Sequence, residues 1–100
     1  MTSVLDVIAQ AYHDSRCYWQ HVDSRPEDAL RIVNELVAHG LAVDSETGAR
    51  SLEHRALAAI QDEYDTYEHI TRESVAVRVA LALNLATFTE CVEWSGEVPA

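Results

Sequence analysis

The sequence predicts an all-α protein, a four-helix bundle-like single domain with the fourth helix at its centre. Three observations predict it. The chain has 100 residues, enough for one domain, and 48% of them are hydrophobic, too many for an intrinsically disordered segment. Gly and Pro occur only at Pro26, Gly40, Gly48, Gly96 and Pro99, so the chain divides into a few long pieces. Within those pieces the apolar residues recur mostly at helical spacing.

The first helix is expected over 3–20. Val4, Leu5, Ile8, Tyr12 and Trp19 fall on one side of its wheel, with Asp6, Gln10, His13, Asp14 and Cys17 on the other. The second is expected over 25–39, opened by Ser24-Arg25-Pro26-Glu27. That tetrad has the form of a capping box, with proline at an early position where no amide is needed. Its apolar face reads Ala29, Leu30, Val33, Leu36 and Val37. Arg31 and Glu35 pair at i,i+4, and Gly40 provides a left-handed C-terminal stop with Leu41 behind it.

The turn formers from Asp44 to Gly48 mark a loop. From Ala49 to Ser95 there is neither Gly nor Pro, and a single rod of that length would be improbably long at about 1.5 Å per residue. A hidden turn is placed near Ile70-Thr71, where Thr71 serves as N-cap and Ile70 and Val75 form a hydrophobic staple. The third helix then covers 51–69 and the fourth 72–94. In the fourth, Val75, Val77, Val79, Leu81, Leu83 and Leu85 alternate with Ala76, Arg78, Ala80, Ala82, Asn84 and Ala86, which is strand-like spacing. Helix is preferred because Ala and Leu form helices well, Ala is depleted in strands, and a strand so long is unusual. Such a helix is apolar nearly all round, so it belongs at the centre or buries its second face in a partner.

Charge excludes one class of function. Lysine is absent, 7 arginines face 17 acids, and the formal charge is −10, with −4 on residues 1–50 and −6 on 51–100. Nucleic-acid binders cluster Lys and Arg against phosphates, whereas these arginines are scattered singly, so direct DNA or RNA binding is not expected. Anionic membrane surfaces are disfavoured for the same reason, and no apolar run reaches the roughly 20 residues that cross a bilayer. The first helix lacks the basic start of a secretory signal, and Cys17 and Cys91 form no CxxC pair, which together suggest a cytoplasmic protein.

The chemistry-bearing residues are few. Asp62, Glu63, Asp65 and Glu68 accumulate on the third helix, and no arginine balances them between Ala56 and Thr71. With Leu57, Ile60, Tyr64 and Tyr67 as the apolar stripe, Asp62, Asp65, Glu68 and His69 project outward. This acidic, tyrosine-bordered face is the candidate partner-binding surface, through Asp62, Asp65, Glu68 and Tyr67, with Trp94 as a further anchor. His13, Cys17 and His21 recur at i, i+4 and i+8. They are weak metal candidates, with Glu35 or His39 as a conceivable fourth ligand. No nucleophile elbow, P-loop or Gly-rich cradle is present, so neither an enzyme nor a cofactor is expected.

Ala29 to Val43, followed by Asp44 to Gly48 and Ala49-Arg50-Ser51-Leu52, resembles the last helix and wing hairpin of winged-helix proteins over about a quarter of the chain. Only one clear helix precedes this segment, however, and the wing would carry more acid than base. No family is assigned on it. The expectation is a small acidic cytoplasmic regulator, an inhibitor, antitoxin-like, immunity-like or adaptor protein, docking a basic protein surface. One version has the carboxylates standing in for the phosphates of a nucleic acid. The alternative is a structural homo-oligomer, such as a homodimer, assembled through the fourth helix, with the acids only solubilising it.

Overall fold

A computed structural model describes residues 3–20, 22–43, 51–67 and 70–96. Among the described residues there are five helices and no strand: α1 (Val4–Tyr18), α2 (Arg25–Ala38), α3 (Leu52–Thr66), α4 (Arg72–Ala82) and α5 (Phe88–Ser95). The four longer helices meet in cyclic order, α1 on α2, α2 on α3, α3 on α4 and α4 on α1, and α5 packs on α4. The radius of gyration is 12.4 Å, close to the roughly 13 Å of a compact chain of this length.

Side-chain oxygens start most of the helices. Ser3 Oγ accepts from the Leu5 amide at 3.1 Å and Ser51 Oγ from the His54 amide at 3.1 Å. The predicted stop at Gly40 is present, with φ of +70° and the Leu41 amide donating back to the Leu36 carbonyl at 2.9 Å. The hidden turn before Thr71 is also present. Thr71 Oγ1 accepts from the Ser74 amide, while Ser74 Oγ accepts from the Thr71 amide, a reciprocal box in which Ser74 takes the part usually played by glutamate.

The expected helix over 72–94 is two helices. Asn84 adopts a left-handed φ of +57°, and the Leu85 amide donates to the Ala80 carbonyl at 2.9 Å, the same closing bond that Leu41 makes to Leu36. Asparagine takes this conformation more readily than other non-glycine residues, so it ends a helix where glycine is lacking. Thr87 then caps α5, its hydroxyl accepting from Glu90 while the Glu90 carboxylate accepts from the Thr87 amide.

Two details of α2 also differ from the reading. Ser24 makes no capping bond to Glu27, because its hydroxyl accepts from Arg16 instead. The buried face is Asp28, Ala29, Ile32, Val33 and Leu36, while Leu30 and Val37 are exposed. The helix is turned to bring Asp28 inward, and Glu35 lies 3.8 Å from His39 rather than pairing with Arg31. The wing of the winged-helix resemblance, 44–50, lies outside the described residues.

The core is one cluster drawn from all five helices, with Ile8, Ile32, Leu36, Ile60, Val75 and Val79 fully enclosed. Val75, Ala76, Val77, Val79 and Ala80 of α4 are all buried within the single chain. Helices α1 and α3 pack against α4 from two sides.

Candidate functional site

Helix α3 turns its carboxylates in two directions. Ile60 is fully buried and sets the inward line, with Leu57, Tyr64 and Tyr67 half-buried beside it. Glu63, three residues after Ile60, shares that inward side and is almost wholly buried. Asp62 and Asp65 lie on the outward side and are exposed, as the sequence predicts. Glu68 and His69 lie outside the described residues.

One side chain that the sequence reading treated as part of an apolar helix organises this region. Arg78 of α4 reaches across to α3, where its Nε donates to Glu63 Oε1 at 3.2 Å and its Nη1 stands 3.5 Å from Asp62 Oδ2. Its guanidinium also lies 5.8 Å from the centre of the Tyr67 ring. Glu63 is thus an internal partner. Asp62 is tethered at one oxygen yet keeps 63% of its side chain in solvent, where such a long pair contributes little. Asp65 projects freely beyond it. The arrangement leaves an acidic edge whose aromatic border, Tyr67, is held against Arg78.

Trp94 serves within the chain. It packs on the core from α5, and its indole N–H donates to Asp6 Oδ1 of α1 at 2.9 Å. Of the suggested metal ligands, His13 and Cys17 are both exposed on α1, with Cys17 Sγ 3.6 Å from His13 Nε2. His21 lies outside the described residues, and no group of three or more ligand-type side chains is gathered at one point among those described.

A second polar cluster, missed in the sequence, fills the junction of α1, α2 and α3. Asp28 has no exposed side-chain surface. Its Oδ1 accepts from the Ser15 hydroxyl, and Arg16 Nε stands 3.1 Å from its Oδ2, a charge contact whose angle falls short of a hydrogen bond. Arg16 also donates to Ser24 Oγ and, at 3.1 Å, to the Val22 carbonyl. Burial pushes the Asp28 carboxyl above its usual range, against the opposing pull of Ser15 and Arg16. Nearby, the Tyr12 and Tyr64 hydroxyls are 2.6 Å apart, and Arg25 lies over the Tyr64 ring at 4.4 Å. Burial and then the Tyr64 hydroxyl raise the Tyr12 phenol above its ordinary range. The available sequence signal was Asp28 standing in line with Ile32 and Leu36 at i, i+4 and i+8.

Between α1 and α2 a groove of about 340 Å³ has Val7 and Ala11 at its base and Asp6, Gln10, Asp14, Glu35 and His39 around it. Gln10 donates to Asp14 at 2.8 Å. No protein-family model, curated protein or solved structure matches the chain.

Proposed function

We propose that the protein is a small cytoplasmic binding regulator that docks a basic protein surface through the outward edge of α3, rather than an enzyme. Asp62 and Asp65 carry the charge and Tyr67 the aromatic contact, with Glu68 expected to extend the edge, while Trp94, packed on the core and bonded to Asp6, is left out of it. The scaffold is read as a bundle of α1 to α4 with α5 appended.

One observation carries this reading. Arg16, Arg25, Arg55, Arg72 and Arg78, five of the seven arginines, are engaged by the chain's own acids or carbonyls. The surface therefore keeps exposed carboxylates such as Asp65 without a countercharge beside them, while Asp62 shares Arg78. Such a surface attracts cationic partners over the range of the Debye length and raises the rate of encounter more than the final affinity.

The test is the binding of a fluorescent octa-arginine peptide, followed by anisotropy. Asp62→Asn with Asp65→Asn is expected to weaken binding about tenfold, since each charge contributes up to about 1 kcal/mol at a surface. Asp14→Asn with Glu35→Gln removes the same charge elsewhere and is expected to change it far less. Equal losses in the two variants would mean that only net charge matters, and the docking edge would be withdrawn. Competition by duplex DNA for a natural partner would then distinguish nucleic-acid mimicry from simple acidic docking.

A further inference from the structure

Arg78 already occupies part of the outward edge of α3. Its Nε donates to Glu63 Oε1 at 3.2 Å, where the carboxylate side chain is 4% exposed, and its Nη1 stands 3.5 Å from Asp62 Oδ2, where 63% of the side chain meets solvent. The centre of the Tyr67 ring lies 5.8 Å from the same guanidinium. A carboxylate and an aromatic ring are also what a guanidinium from another protein would seek, since it pairs with the first and stacks on the second. Asp62 and Tyr67 are therefore shared with the chain's own cation, and the exposed Asp65 is the acid left over.

We propose that Arg78 is a built-in competitor at this edge, one that stays bound to Glu63 while an arginine of the partner displaces it from Asp62. The inference rests on the docking role of the α3 edge and adds the chemistry of the incoming group. The two arms of Arg78 differ in hold. A charged hydrogen bond to a buried carboxylate is costly to give up, whereas a long contact to an exposed one is not. Displacement from Asp62 alone leaves the link between α3 and α4 in place. Until it happens, the guanidinium both covers Asp62 Oδ2 and holds a positive charge where a cationic partner must approach. The edge is thus partly self-occupied, and Arg78 sets how strongly it binds.

The experiment is octa-arginine anisotropy at low salt with Arg78→Gln, checked by circular dichroism to be folded. Binding should tighten about two- to fivefold, the range expected for an exposed pair. Arg31→Gln removes the same charge from the exposed side of α2 and should give less. The gain should vanish on an Asp62→Asn background and persist on Asp65→Asn. In the unsubstituted chain, the Arg78 Nε–H NMR signal should shift along the same titration as the Asp62 and Asp65 amides, a reading that needs no variant to fold. An equal gain from Arg31→Gln, a gain that survives Asp62→Asn, weaker binding by Arg78→Gln, or an Arg78 signal that stays fixed would each overturn the proposal. If Asp62→Asn with Asp65→Asn binds no worse than Asp14→Asn with Glu35→Gln, the docking edge itself falls. If that contrast holds and Arg78→Gln brings no gain, only the competing role of Arg78 falls.

Discussion

Two arginine–carboxylate clusters tie neighbouring helices together, and they differ in depth. At the junction of α1 and α2, Arg16 meets Asp28 where the carboxylate has no solvent contact. Between α3 and α4, Arg78 meets a buried Glu63 and an exposed Asp62 at once. The first cluster closes inward, with serines and a backbone carbonyl completing it. The second grades outward into solvent and ends at the free acid Asp65. Burial, and not the count of acids, decides which carboxylates hold the fold and which remain available to a partner.

The comparison can be broken by single substitutions read in urea unfolding. Arg16→Ala leaves Asp28 buried with no cation and is expected to cost about 3–5 kcal/mol. Arg78→Ala should cost less, about 1–3 kcal/mol, since it gives up one hydrogen bond to Glu63 and a long contact to the exposed Asp62. Asp62→Asn should cost under about 1 kcal/mol. Equal costs for the two arginines would remove the distinction in depth.

A pH series sharpens the same contrast. Asp28 has a folded pKa above its ordinary value of 3.8, so the folded state holds its proton more readily than the unfolded chain. Below 3.8 this group contributes nothing to the difference. As the pH rises from there through the folded pKa, it subtracts stability, and above that the penalty stays constant. Relative to Asp28→Asn, the parent should therefore lose stability with rising pH across that window. A gain over the same window would show that the pairing with Arg16 outweighs burial.

The smallest expected effect concerns the break between α4 and α5. Asn84→Gly, at a φ of +57°, should stabilise the fold by a few tenths to about 1 kcal/mol, because glycine takes that conformation without strain. A loss of stability would mean that the Asn84 side chain itself is required there.

The all-helical class was legible, and so were the stop at Gly40 and the turn before Thr71, because a left-handed glycine and a capping threonine each leave a local chemical mark. The end of α4 was not read, since Asn84 stood where glycine was sought, although Thr87 and Glu90 already had capping-box spacing. The face of α2 was misread for a different reason. Asp28 was not counted on it, and its inward place depends on Ser15 and Arg16 of another helix, contacts between residues distant along the chain. Likewise Arg78 could be seen in the sequence, but its two partners on α3 could not. The exposure of Asp62 and Asp65 was legible, because Ile60 and Tyr64 fix the inward line of α3 by spacing alone.

The most direct measurement is an amide NMR titration of the isotopically labelled chain with octa-arginine at low salt and at high salt. The account predicts that shifts gather at residues 61–67 and fade as screening shortens the reach of charge. Shifts spread evenly over all exposed acids, or concentrated at Asp14 and Glu35, would contradict it.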